Sequence, residues 1–263
     1  MKSIAEFSSE IRSTGFSVFA NLVDAGLLHE LKVQIPKVVE LRRSQQIRNG
    51  LNSGFGGSAH HVLGDGPAFT EFLARRDLDP FLSAYFGGAP YILNSFGAIM
   101  NLPEGQGSGD YAHGSGFHRD VRTFTRDFNL LCIVLLMVDD FTFENGSTRV
   151  VPGSNLVFER PSEDELLKRS VRVNGSAGTA LIMDGNLWHA ASPNRTDHPR
   201  MAISLTFSRA FMKQQLDYPR MLGKDFPRDE RMRQLLGYYA QVPQSLDEWF
   251  QPQGKRFYHR DQG

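Results

Sequence analysis

Arg200 to Phe207 reads RMAISLTF. Successive side chains of an extended chain point to opposite faces. Arg200, Ala202, Ser204 and Thr206 therefore share one face, and Met201, Ile203, Leu205 and Phe207 share the other. The second set is bulky and apolar and belongs against a core. The first is small and partly polar, as an interior face that admits a ligand would be. A guanidinium at the end of that face suits a bidentate grip on a carboxylate.

Working outward, strand-like runs recur through this half of the chain: YILNSFGAIM from Tyr91, NLLCIVLLMV from Asn129, SVRVN from Ser170 and GTALIMD from Gly178. Turn signals separate them at Glu144–Gly146, Pro152–Ser154, Asn174–Gly178 and Ser192–Asn194. No long helix alternates with these strands, which favours a closed or sandwiched antiparallel β-domain over a nucleotide-type α/β sheet. The expected class is mainly β with supporting helices. The whole chain, 1–263, reads as one domain, with a β core over about 91–211 and helices and loops mainly in 1–90 and 212–263.

The flanking segments carry weaker signals. VDAGLLHELKVQIPKVVELRRSQQIRNG, from Val23, has helical apolar spacing interrupted by Pro36, which permits two helices or one bent one. Asn49–Gly66 is glycine-rich and reads as a long loop without the lysine that closes a phosphate-binding loop. Pro67–Tyr85 reads as helical, and a further helix is expected around Arg231–Tyr239.

Lysine plus arginine and aspartate plus glutamate number 29 each, so no global charge points to nucleic acid or an anionic membrane. The longest apolar run, Leu130–Val138, is far short of a membrane span, and the N-terminal residues offer no signal-peptide core. A cytoplasmic location is the expectation. The single cysteine, Cys132, lies inside an apolar run and reads as a buried thiol.

Candidate ligands come from GFHRD, Gly116 to Asp120. In an extended segment His118 and Asp120 face one cavity while Arg119 turns away. One imidazole and one carboxylate are two-thirds of the facial triad that suits iron(II). His189, which ends the apolar stretch LIMDGNLWH before a turn, is the best third member.

GFHRD at 116–120, VDDFTFENGSTRVVPGS at 138–154, WHAASPNRT at 188–196 and Arg200 together resemble the phytanoyl-CoA dioxygenase family of iron(II)- and 2-oxoglutarate-dependent oxygenases. The resemblance covers roughly Gly15–Phe211. It implies a double-stranded β-helix (jelly-roll, cupin-like) braced by helices. His118, Asp120 and His189 match the family's metal ligands, and Arg200 matches the residue that binds the distal carboxylate of 2-oxoglutarate. The implied activity takes Fe(II), 2-oxoglutarate and O2. It hydroxylates or otherwise oxidises a C–H bond of a small organic molecule, releasing succinate and carbon dioxide. Asp120 stands where related halogenases carry a small residue, which argues for oxygen chemistry.

Two departures from the family pattern stand out. Asn155 follows the proline-glycine-serine element where histidine is common, and Ala191 lies where a hydroxyl residue often helps hold the co-substrate. Ser192 is adjacent to Ala191, and Ser204 is the alternative hydroxyl from its strand face.

His60, His61, Tyr111, His113 and Arg122 are candidate substrate contacts, on or beside the loops Asn49–Gly66 and Leu102–Gly116. The expected partner is a small free molecule of specialised metabolism, with neither nucleic acid nor membrane expected. Monomer and homodimer stay open. The competing readings are a β-rich binding protein without redox activity and a metalloenzyme that uses no 2-oxoglutarate.

Overall fold

The computed structural model describes residues 2–51, 57–106, 116–226, 229–256 and 258–262. In chain order its strands are β1 (Phe16–Phe19), β2 (Ser58–His60), β3 (Tyr91–Asn101), β4 (Leu131–Met137), β5 (Thr148–Val150), β6 (Val171–Val173), β7 (Ala180–Asp184), β8 (His189–Ala190) and β9 (Arg200–Arg209). The helices are α1 (Ile4–Thr14), α2 (Ala25–Arg48), α3 (Pro67–Ala74), α4 (Asp79–Tyr85), α5 (Glu163–Arg169), α6 (Tyr218–Leu222), α7 (Glu230–Leu235) and α8 (Leu246–Trp249).

The larger sheet runs β1-β7-β4-β9-β3-β2 and the smaller β6-β5-β8, with antiparallel pairing between these neighbours. This is a double-stranded β-helix flanked by helices. Period-2 alternation explains why β4 is apolar without interruption, since both of its faces are buried. Cys132, Val134 and Leu136 join the core beneath the helices, while Ile133, Leu135 and Met137 fill the space between the sheets.

β9 divides as its sequence requires. Ile203, Leu205 and Phe207 pack on the helical side and Ala202 faces the interior. In β3 the alternation breaks at Asn94, where the register with β9 shifts. The bulge puts Leu93 and Phe96 on the same helical side despite their odd spacing.

Pro36 does not divide its helix. α2 is continuous across it, with Leu27, Leu31, Ile35 and Val38 forming the buried stripe. Proline removes one backbone donor, but the two residues that bracket it on this stripe, Ile35 and Val38, lie in the core. The segment Asn49–Gly66, expected as loop, contains β2, whose order comes from edge pairing with β3 through Ala59↔Ala98 rather than from its own pattern. α5 also lies outside the sequence reading, and like α1 it is marked at its start rather than by long apolar spacing. Each opens on a capping box, Ser3 with Glu6 and Ser162 with Glu165.

The C-terminal segment packs over the helical side. Met232, Leu235, Leu236 and Tyr238 join that core, and Arg231 makes a bidentate pair with Asp79 at 2.5 and 2.6 Å, tying α7 to α4. Cys132 is buried, as expected. Among the described residues, no helix is long and apolar enough to cross a membrane.

Gly146 closes the turn before β5 with φ 83°, a left-handed value that disfavours a side chain. A Cβ there would stand 2.4 Å from the Ser192 carbonyl oxygen and 2.5 Å from Asn101 Nδ2. Gly146→Ala is therefore expected to destabilise the fold by about 3 kcal/mol, combining backbone strain with a clash against backbone. Urea unfolding checks this, and a loss under about 1 kcal/mol would contradict it.

Candidate metal centre

The smaller sheet gains a further line of backbone beside β8. His118 N–H donates to the His189 carbonyl at 2.9 Å, and His189 N–H returns to the His118 carbonyl at 3.0 Å. This reciprocal bridge brings two histidines 71 residues apart in sequence side by side, with ring centroids 4.3 Å apart. Val150 pairs with His189 from the other side, so β8 is held on both edges.

His118, Asp120 and His189 each offer a ligand atom, and these atoms all lie within 4.8 Å of one another. His118 Nδ1 is 3.0 Å from the Gly116 carbonyl and His189 Nδ1 is 3.0 Å from the Leu187 carbonyl. With both Nδ1 atoms committed as donors to backbone, the Nε2 lone pairs face Asp120, whose Oδ1 lies 3.5 and 3.7 Å from them. His189 is buried, whereas Asp120 and His118 keep solvent access, leaving one side of the group open. Two neutral nitrogens and a carboxylate form the facial donor set that suits iron(II).

The three groups shift one another's ionisation. Burial pushes Asp120 up, but the neighbouring imidazoles of His118 and His189 outweigh it, holding the carboxyl below its ordinary value. Burial lowers His189, with Asp120 opposing. For His118 burial is again the largest influence, yet Asp120 and the Gly116 carbonyl overcome it and the imidazole is raised.

Arg200 is buried, with its guanidinium 3.8 Å from the centroid of Phe141, a residue of the interior core. Its one hydrogen bond among the described residues runs from Nη2 to the Gly146 carbonyl at 3.4 Å, and its buried Nε has no partner. Burial lowers its pKa to about 10, with Asp139 opposing, so it remains cationic at neutral pH. A buried cation with donors to spare is costly unless an anion joins it. Those donors fit the carboxylate of a bound oxoacid.

Asp120 also lines a cavity of about 250 Å³, with Ser95, Ser204, Thr206 and His60 on its wall. Ser95 and Thr206 share a hydrogen bond of 2.7 Å across β3 and β9. Ser204 thus belongs to the cavity and lies roughly 13 Å along β9 from Arg200. Ser192 stands nearer the guanidinium's surroundings: it is buried, its Oγ has no hydrogen-bond partner among the described residues, and its carbonyl packs at Gly146.

The other expected contacts separate. His60 reaches the cavity. His61 does not: at φ 56° the backbone turns it to the helical side, where its Nδ1 lies 2.9 Å from the Tyr218 hydroxyl. Arg122 is exposed and off the cavity wall. Tyr111 and His113 lie outside the described residues.

Arg119, between the two ligands, turns away as alternation requires, but it is buried rather than solvated. Nη2 donates to the carbonyls of Ser154, at 2.8 Å, and Val157, and its guanidinium lies 4.9 Å from the Trp188 ring. Ser154 Oγ in turn accepts the Trp188 N–H at 2.9 Å. The proline-glycine-serine turn therefore braces the residue before His189. Asn155 keeps a buried Oδ1 without a partner among the described residues, beside Gly15.

Burial, then the charges of His60 and Arg42, pull His61 down to about 4. The folded chain thus holds a neutral imidazole that the unfolded chain protonates below about pH 6.5. Its contribution to stability is present above that value and is lost as pH falls toward about 4. His61→Asn, which tolerates the left-handed backbone, should flatten part of the fall in unfolding midpoint across this window. An unchanged slope would contradict the assignment.

Comparison with known proteins bears on this geometry. Residues 11–202 match the family model described as phytanoyl-CoA dioxygenase (PhyH). The uncharacterized protein Rv1501 of Mycobacterium tuberculosis is 38% identical over 151 residues, covering 57% of this chain and 55% of that protein. The dioxygenase andF of Emericella variicolor is 30% identical over 122 residues, covering 42% of this chain and 39% of that protein. The chain spans about half the length, or less, of these curated relatives.

Among solved structures, EctD from S. alaskensis in its apoform gives a TM-score of 0.64 at 17% identity, over 81% of this chain and 79% of that one. The non-heme alpha ketoglutarate dependent epimerase SnoN from nogalamycin biosynthesis gives 0.58 at 19% identity, over 79% and 81%. These last two are likenesses of fold. With the family model spanning most of the sequence and a two-histidine, one-carboxylate group assembled from its motifs, the chain belongs to the phytanoyl-CoA dioxygenase family.

Proposed function

We propose that this protein is an iron(II)- and 2-oxoglutarate-dependent oxygenase that oxidises a C–H bond of a small organic molecule. The observation that carries the reading is the convergence of His118 Nε2, His189 Nε2 and Asp120 Oδ1 beside an open cavity. The buried, under-partnered guanidinium of Arg200 supports the oxoacid. Iron with its co-substrates supplies the oxidation: 2-oxoglutarate and O2 yield succinate and carbon dioxide, with one oxygen atom available to the substrate.

The chain's own groups do the rest. His118, Asp120 and His189 hold the metal, and the Gly116 and Leu187 carbonyls fix the imidazole tautomers. Arg200 holds the far carboxylate of 2-oxoglutarate. The cavity orients substrate, with Ser204, Thr206 and His60 as its polar contacts. A small-molecule substrate from specialised metabolism fits this volume and the company of SnoN, a protein of nogalamycin biosynthesis.

The test is oxygen-dependent succinate formation by iron-loaded protein, with and without a panel of small natural products. Succinate formation stimulated by a compound that is itself oxidised supports the reading. Folded, metal-loaded protein that consumes no 2-oxoglutarate under any of these conditions contradicts it.

A further inference from the structure

Asn186 sits in the turn between β7 and β8, is only 3% exposed, and uses its whole hydrogen-bonding capacity on a segment distant in sequence. Its Nδ2 donates to the Val121 carbonyl at 2.9 Å and to the Thr123 carbonyl at 3.0 Å. Its Oδ1 accepts the Thr125 N–H at 2.9 Å and the Thr125 hydroxyl at 3.1 Å. These four bonds join the chain just beyond Asp120 to the chain just before His189.

The clamp is itself anchored. Asn186 N–H donates to Asp184 Oδ1 at 2.7 Å, and Asp184 Oδ2 accepts the Tyr85 hydroxyl at 2.8 Å. Tyr85 belongs to α4 and to the helical core. A buried polar path thus runs from that core, through the turn, to the segment carrying two of the three ligands. Between the His118–His189 bridge and the clamp lies Asp120. On one side it is fixed by that bridge, and on the other by Val121, whose N–H donates to the Gly185 carbonyl at 3.0 Å.

We infer that Asn186 is a positioning residue for the metal centre, holding the His118–Asp120 segment in register with His189. The inference rests on the metal-binding reading for its consequence, but the clamp itself can be measured without metal. Groups that orient ligands from outside typically change metal affinity about 10- to 100-fold when replaced. Asn186→Asp keeps the shape but sets a carboxylate against the carbonyls of Val121 and Thr123. Asn186→Ala removes all four bonds. Asn94→Ala serves as the comparison, because Asn94 is another buried asparagine that tethers backbone, to the Lys213 carbonyl at 3.1 Å, off the metal centre and off the cavity wall.

Amide hydrogen exchange on the metal-free full-length chain should quicken at Val121 in both Asn186 variants, and at Thr125 in Asn186→Ala, which removes the acceptor of its N–H, and at neither in Asn94→Ala. Titration with Fe(II) in the absence of oxygen should then show at least a ten-fold loss of affinity in the Asn186 variants. At metal saturation, the visible absorption with 2-oxoglutarate should shift in position. Asn94→Ala should retain wild-type affinity and band position even where its thermal stability falls as far. Unchanged exchange at Val121 and Thr125, or metal affinity no weaker than in Asn94→Ala, overturns the assignment. If the wild-type chain binds no metal, the oxygenase reading fails on that ground, while the exchange result still decides whether Asn186 holds the segment.

Discussion

Iron-dependent oxidation by the Asp120→Ala protein is expected to fall by on the order of 1,000-fold or more, since even groups that merely orient ligands are worth about 10- to 100-fold in affinity or activity. Asp120 supplies the only negative charge in the ligand group, with its Oδ1 3.5 and 3.7 Å from two imidazole nitrogens. Its depressed pKa keeps it ionised at neutral pH. Without it, two neutral nitrogens are left to hold a dication. The fold should survive, because the bridge between His118 and His189 is made by backbone. Metal content, succinate formation and the unfolding midpoint measured on the same preparation separate these effects. An alanine variant that keeps iron affinity within a few-fold of wild type would contradict the ligand assignment.

Arg200→Met should weaken 2-oxoglutarate binding roughly 100-fold, from the loss of charge-assisted hydrogen bonds worth about 3 kcal/mol. The same substitution should leave the ligand-free protein as stable as wild type or more so. Arg200 buries a cation whose Nε has no partner, and whose one hydrogen bond is long, among the described residues, and an apolar chain of similar size avoids that desolvation. Thermal unfolding distinguishes the two effects: 2-oxoglutarate with metal should raise the wild-type Tm and scarcely move that of Arg200→Met. Arg200→Lys should fall between them, keeping the charge without the planar fork. A variant that loses stability without ligand but keeps its 2-oxoglutarate affinity would make Arg200 a structural residue instead.

The strands that carry the site were legible because period-2 patterning survives where one or both faces are buried. RMAISLTF shows both of its faces, and the structure places Ile203, Leu205 and Phe207 on one and Ser204 and Thr206 on the other. His118 and Asp120 were legible for the same reason. β2 was not, since three residues next to a glycine-rich stretch take their order from β3. Arg119 could be assigned a direction by alternation but not a destination, because its partners at Ser154 and Val157 are distant in sequence. Asn186 was invisible for a related reason: asparagine in a DGN turn is ordinary turn chemistry, and only the tertiary structure shows its side chain reaching Val121, Thr123 and Thr125.

The division of β9 also orders the site. Arg200 lies at one end of the interior face beside Phe141, and Ser204 and Thr206 line the cavity farther along. One strand therefore places a buried guanidinium and two cavity-lining hydroxyls on the same face, with Asp120 also on the cavity wall.

The most direct measurement is an anaerobic titration of the iron(II)-loaded protein with 2-oxoglutarate, following the visible metal-to-ligand charge-transfer band. His118→Ala and Arg200→Met are titrated alongside. A saturable band in the wild type that vanishes in His118→Ala and needs roughly 100-fold more 2-oxoglutarate in Arg200→Met is the predicted result. A folded, metal-loaded wild-type protein that gives no band, or a band indifferent to His118, would contradict the metal and co-substrate sites together.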